Sequence, residues 1–138
     1  MSDTRTRAEI IRDFVPESPF ARQLGLELVS LGDGEASLRM PYTGQLATLG
    51  DVVHGGAIAA LLDTTGTAAA WATDEVPRDM RGATVGLTVN YAAAARGADL
   101  VATARVVRRG RSLCFCEVEV ADPDGRLVAH GTLIYSFG

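Results

Sequence analysis

The chain has 138 residues, enough for one domain with a single substantial core, and its 47% hydrophobic and 22% charged residues suit an ordinary globular protein. A net charge of -4 argues against nucleic acid as a partner, since such binders usually carry a basic surface. The opening MSDTRTRAEIIRDF lacks the apolar stretch of a secretory signal, and the central apolar run is interrupted by His54, Asp63 and several Thr and Gly. The expectation is a cytoplasmic protein with no membrane partner.

Ala8, Ile11 and Phe14/Val15 recur at helical spacing, which predicts a short amphipathic helix over residues 4–15, ended by Pro16 and Pro19. Residues 1–19 are accordingly read as an N-terminal helical segment and 20–138 as the main domain. Two strands, Leu24 to Leu31 and Glu35 to Pro41, flank the turn Gly32-Asp33-Gly34. A loop from Tyr42 to Val53 leads into a long helix that the segment from Asp74 to Arg81, with Pro77, terminates.

Four strand-like runs follow: Ala83 to Tyr91, Ala98 to Arg108, Ser112 to Ala121 and Leu127 to Phe137. Gly97, Gly110 and Asp122-Pro-Asp-Gly125 punctuate them. The stretch YAAAAR, residues 91–96, reads as a strand end running into a loop. Alternation is clear in LVATARVV and LCFCEVEV, so one sheet face is covered and the other is at least partly polar. Cys114 and Cys116 share a face roughly 6–7 Å apart, a poor span for a disulfide, and read as reduced sheet cysteines. No cluster has metal-ligand spacing. The element order predicts an α+β domain whose antiparallel sheet wraps the helix.

The long helix carries the chemistry. From Val53 to Ala72 it reads VHGGAIAALLDTTGTAAAWA, apolar or small almost throughout, so burial on every side is expected, with Asp63 in its middle. A buried carboxylate is costly unless it is paired, hydrogen-bonded or lining a wet cleft. Catalysis is one reason to keep it; a structural bond to Thr64, Thr67 or nearby backbone is the other. His54-Gly55-Gly56 stands at the helix start, where first-turn amides lack intrahelical partners. Glycines there admit a ligand closely, and the helix dipole favours a negative oxygen. Those are the parts of an oxyanion hole.

Gly55 and Asp63 are separated along the helix by about 12 Å at 1.5 Å per residue, with His54 one residue further out and half a turn from Asp63. The carboxylate therefore cannot serve the same substrate atom as the Gly55 amide of its own helix. If both act, they come from different subunits, and a two-fold dimer with antiparallel helices would supply two equivalent sites.

The pattern VHGGAIAALLD, with TVNYAAAARGADLVATARVVRRGRSLCFCEVEV and the closing GRLVAHGTLIYSFG, resembles the hotdog-fold acyl-CoA thioesterases. Within them it is similar to the phenylacetate-degradation (PaaI-type) and 4-hydroxybenzoyl-CoA thioesterase branch, over roughly residues 20–138. The resemblance implies a long helix wrapped by a six-stranded antiparallel sheet, homodimers that pair into homotetramers, and interface active sites. It places the oxyanion amide on Gly55, the nucleophile or general base on Asp63 of the partner subunit, and the family histidine on His54. A hydroxyl that orients the attacking water falls on Thr84. Thr48 stands where relatives commonly have Asn, with Gln45 nearby, and Gly50-Asp51 departs from the usual pattern. Arg108, Arg109 and Arg111 are candidates for the phosphates of coenzyme A, which is part of the substrate; no separate cofactor is implied. Arg78 and Arg81 are weaker candidates, His130 has no assigned role, and Trp71 and Tyr91 read as core or interface packing. A non-catalytic acyl-CoA-binding hotdog protein and a hotdog hydratase or dehydratase are the alternatives.

Overall fold

The computed structural model describes residues 4–138; residues 1–3 of the expected N-terminal segment lie outside them. Helix α1 runs from Arg7 to Glu17, opened by a capping box in which Thr6 accepts from the Glu9 N–H and the Glu9 carboxylate accepts from the Thr6 N–H. It passes through Pro16 instead of stopping there. So late in a helix, a proline forfeits one backbone hydrogen bond and leaves little helix beyond it to disrupt. Pro19 begins a second helix, α2 (Pro19–Leu24), where a fixed φ near -65° suits the first helical position. Gly25, at φ 70°, ends it in a left-handed conformation, so the first strand starts three residues later than the sequence suggests.

Strands β1 (Glu27–Gly32) and β2 (Glu35–Met40) form a hairpin, followed by helix α3 (Gly55–Ala70). Then come β3 (Ala83–Tyr91), β4 (Leu100–Arg109), β5 (Leu113–Ala121) and β6 (Leu127–Ser136). The six strands make one antiparallel sheet in the order β1-β2-β4-β5-β6-β3, curled round α3. This is the hotdog arrangement that the resemblance implies.

Ile58, Leu61, Leu62, Ala68 and Ala69 of α3 meet Leu38, Leu100, Val118, Val120 and Leu133 of the sheet, and all are buried. Each large aliphatic side chain so buried contributes roughly 1.5–3 kcal/mol relative to exposure. Gly66 lets helix and sheet approach closely: a Cβ there would lie 2.9 Å from Leu133 Cδ1. Thr64 and Thr65 satisfy their hydroxyls on the carbonyls of Ala60 and Leu61. One sheet covers only one side of a helix, so α3 is not buried all round. Gly56 is exposed, and Ala59, Ala60, Asp63, Thr64 and Thr67 are half-buried.

Cys114 and Cys116 are free and buried, their sulfurs 3.9 Å apart. Among the described residues, no helix is long and apolar enough to cross a membrane.

Candidate active site

The loop before α3 is a small hairpin stapled to its surroundings. His54 N–H donates to the Leu46 carbonyl, Thr48 N–H to Val52, and Val53 N–H to Ala95. Asp51 anchors the tip: its carbonyl accepts from the Gly97 N–H, and its carboxylate lies 3.7 Å from Arg96. The unusual Asp51 thus ties this loop to the β3–β4 connection. Thr48 sits at the exposed tip and Gln45 in the single helical turn Gly44–Leu46. Neither side chain has a partner among the described residues.

This loop fixes the start of α3. His54 is the N-cap, with its Nδ1 accepting from the Gly56 N–H at 2.7 Å. Ala57 and Ile58 N–H groups both donate to the His54 carbonyl. Gly55 alone in the first turn has an N–H with no acceptor among the described residues. The cap therefore leaves one amide, at the positive end of the helix dipole, free for an incoming oxygen. Tyr91 at the end of β3 donates its hydroxyl to the Gly55 carbonyl at 2.7 Å. A Cβ on Gly55 would lie 3.3 Å from the Tyr91 ring, tighter than ordinary contact, so a side chain there would press on the tyrosine.

Asp63 lies between α1 and the start of β3. Thr84 donates its hydroxyl to Asp63 Oδ1 at 2.7 Å, and Oδ2 has no partner among the described residues. A β-bulge produces this contact. Thr84 pairs with Tyr135 and Gly86 with Ile134, leaving Val85 without an opposite number. Plain alternation from Leu87 would turn Val85 inward and Thr84 out; the extra residue reverses that phase. Thr84 thus acts on the carboxylate itself. Asp63, Thr64 and Thr67 also line a cavity of about 150 Å³ with Ile11, Phe14, Val15 and Ser18.

The three turn arginines do not form one site. A second bulge, between Val106 and Arg108, sets Arg108 opposite Phe115 and Arg109 opposite the inward-facing Cys114. Arg109 donates to the Ala70 carbonyl at 3.0 Å, closing the C-terminal end of α3. Arg108 is exposed on the other face. Arg111 lines a polar cavity of about 440 Å³ with Arg7, Arg78 and Arg81, and with Glu75 and Asp79. His130 is exposed on β6 between Glu119 and Asn90 of the neighbouring strands. Among the described residues, no three His, Cys, Asp or Glu side chains gather as a metal site would require.

Sequence reasoning missed Tyr91 as the brace on Gly55, and α1 as a wall of the Asp63 cavity. The i, i+4 series Asp63, Thr67, Trp71 was the available signal for the second, since it runs as one stripe along α3.

Within one protomer the free amide and the pinned carboxylate stand at different points of α3, as the helix phase requires. Residues 50–129, the stretch holding both groups, match the family model described as the thioesterase superfamily. Acyl-coenzyme A thioesterase 13 of Homo sapiens is 31% identical over 133 residues, covering 94% of this chain and 93% of that one. The structure of conserved protein PA5202 from Pseudomonas aeruginosa superposes with a TM-score of 0.81 at 34% identity, over 91% of this chain and 97% of that one. The PaaI protein of the Escherichia coli phenylacetic acid degradation operon shares the fold, with a TM-score of 0.84 at 20% identity over 99% and 96% of the two chains. With a family match across more than half its length and relatives of this identity and coverage, the chain belongs to the thioesterase superfamily.

Proposed function

We propose that this thioesterase hydrolyses acyl-CoA thioesters to a free acid and coenzyme A, at sites each built by two protomers. The carrying observation is the pair of groups on α3: the unoccupied Gly55 N–H and the Asp63 carboxylate with Oδ1 pinned by Thr84 and Oδ2 open. The thioester carbonyl accepts from Gly55 of one protomer, so that the amide and helix dipole stabilise its oxygen as charge develops. Asp63 of the partner then acts through Oδ2 by one of two routes. As general base it takes a proton from water, whose oxygen bonds to the carbonyl carbon. As nucleophile it forms an acyl-aspartyl anhydride that water later cleaves. In both, the C–S bond breaks and the sulfur leaves as thiolate and is then protonated; the acid's new oxygen comes from water in the first route, and in the second from water or from Asp63 according to whether water attacks the acyl or the aspartyl carbon. His54 shapes the amide by capping Gly56, and Thr84 orients the carboxylate. Thr48, at the exposed loop tip, is the candidate for a contact to the incoming thioester.

Two features of the protomer support assembly. Among the described residues the face of α3 around Gly56, Ala59 and Ala60 is only partly covered, and β3 is a sheet edge of nine residues with Val85 60% and Leu87 41% exposed. Such an edge invites pairing with a second copy. Antiparallel pairing of β3 with its two-fold mate closes both gaps and sets the two α3 helices antiparallel. The resemblance extends this to a pair of dimers. Arg111, in the polar cavity with Arg7, Arg78 and Arg81, and Arg108, on the other face of the sheet, are separate candidates for phosphate contacts in this reading, while Arg109 holds the helix end. The substrate is soluble and the proposed compartment is the cytoplasm.

Thiol release from a panel of acyl-CoAs, measured on the parent protein and on Asp63→Asn, tests the reaction. Turnover by the parent and its loss in the variant are expected. Binding of acyl-CoA with no thiol released by the parent would leave a binding protein instead.

A further inference from the structure

Beside the Asp63 cavity lies a second one of about 350 Å³, lined by Ile10, Ile11, Phe14, Thr67, Trp71, Met80, Gly82 and Tyr135. The two share Ile11, Phe14 and Thr67 as walls and so adjoin along the seam between α1 and α3 beside the carboxylate. Their walls are mostly apolar, and α1 supplies one of them. One buried hydroxyl lines the second cavity. Tyr135 is 6% exposed, and its oxygen accepts from Trp71 Nε1 at 2.9 Å. Its own O–H proton has no acceptor among the described residues, although a buried donor is costly to leave unpaired. Burial also raises the Tyr135 pKa, against the smaller lowering effect of the Trp71 hydrogen bond, so the hydroxyl stays a donor. Gly82 abuts it: a side chain there would collide with the phenol oxygen.

Building on acyl-CoA hydrolysis at Asp63, we infer that these adjoining cavities hold the acyl group and that Tyr135 selects acyl groups bearing a hydrogen-bond-accepting oxygen at the end remote from the thioester. The length follows from the helix. Asp63 and Trp71 are eight residues apart, about 12 Å along α3. Tyr135 is the cross-strand partner of Thr84 and so stands nearer to Asp63 than that, which makes the span an upper bound: at roughly 1.3 Å of advance per bond it admits acyl groups of up to about eight carbons with a terminal oxygen. Phe14 and Ile11 stand where the two cavities meet, so the bulk of α1 sets how wide an acyl chain passes. These residues lie outside the stretch 50–129 that the family model matches, so this wall belongs to the chain's own N-terminal segment.

The test compares butanoyl-, hexanoyl- and octanoyl-CoA each with its ω-hydroxylated counterpart, the ratio being read at the chain length where it is largest. The parent protein is expected to favour the hydroxylated substrate in kcat/KM by roughly fivefold or more, the range one paired buried donor supplies. Tyr135→Phe should bring that ratio to about one, because the donor is gone while the cavity keeps its shape. Phe14→Trp, which narrows the junction, should lower the ratio of octanoyl-CoA to acetyl-CoA turnover, and it keeps the assignment testable if the tyrosine variant does not fold. A parent ratio near one overturns the role of Tyr135, because its proton is then satisfied by water. An unchanged ratio in Tyr135→Phe does the same, and an unaltered chain-length preference in Phe14→Trp removes the acyl group from these cavities. In each case continued cleavage of octanoyl-CoA leaves the hydrolysis reading standing; no cleavage of any thioester removes both.

Discussion

Thr84 and Asp63 are expected to act as one unit, and a double-mutant cycle measures this. Replacing Thr84 by Val keeps the branched shape and deletes the 2.7 Å hydrogen bond to Asp63 Oδ1. A hydrogen bond to a charged group is worth about 1.5–3 kcal/mol, and both residues are half-buried, so the lower end applies. At 1.4 kcal/mol per factor of ten, kcat in Thr84→Val should fall about tenfold. Asp63→Asn retains an oxygen that can accept from Thr84 but removes the base or nucleophile, and should cost at least ~100-fold in kcat. If Thr84 works only through the carboxylate, adding Thr84→Val to Asp63→Asn should change little further. Thr84→Ser, which restores the hydroxyl, should recover most of the loss. The assay is thiol release under saturating substrate for the parent, the single variants and the double variant. An equal tenfold loss from Thr84→Val in both backgrounds refutes the coupling, and near-normal turnover in Asp63→Asn refutes the role of the carboxylate.

Three further outcomes are expected. Mixing Asp63→Asn protein with Gly55→Ala protein, whose new Cβ crowds Tyr91 and the amide, should restore about a quarter of parental activity after subunit exchange, since half the dimers then hold one intact site; a mixture as inactive as its components would tell against shared sites. Arg109→Ala should lower Tm by removing the bond to the Ala70 carbonyl, whereas Arg108→Ala with Arg111→Ala should raise KM for acyl-CoA but not for the matching acyl-pantetheine; equal defects on both substrates would make the whole turn structural. The Tyr42 N–H, and then Arg39, hold the Asp99 carboxyl below its usual range, so its contribution is full above the unfolded carboxylate pKa of about 3.9 and is lost as pH falls through the lower folded value; the stability gap between parent and Asp99→Asn should therefore be present at pH 7 and shrink below about pH 4 in denaturant titrations.

The fold was largely legible because its signals are local. Alternation in β4 and β5, the Asp122-Gly125 turn and the apolar run of α3 each report a short-range regularity, and those elements lie within a residue or two of where the pattern puts them. Gly55 was legible for a similar reason. A glycine pair after a capping residue announces a helix start, and the cap itself then decides which amide stays free. The expectation that α3 is buried on all sides failed because apolar composition does not say which neighbours do the burying: among the described residues the one sheet covers one side of the helix and leaves Ala59 and Ala60 half-buried.

The remainder was hidden because strand parity changes at two places that periodicity does not mark. The bulge at Val85 turns Thr84 toward Asp63, and the bulge at Val107 turns Arg109 toward the end of α3 while leaving Arg108 on the opposite face. Three arginines crowded into four residues read as one basic site; one inserted residue divides them among a helix cap, an open sheet face and a polar cavity. Strict alternation would have put Val85 against the carboxylate, where no hydroxyl could fix its orientation. Each bulge lies beside an end of a strand that the core no longer holds in register, so the ladder tolerates the extra residue there at little loss of packing. The contact to the carboxylate thus depends on Val85 being the residue left out of register: deleting Val85 should join Thr84 directly to Gly86, keep Thr84 opposite Tyr135 and facing Asp63, and cost far less turnover than Thr84→Val.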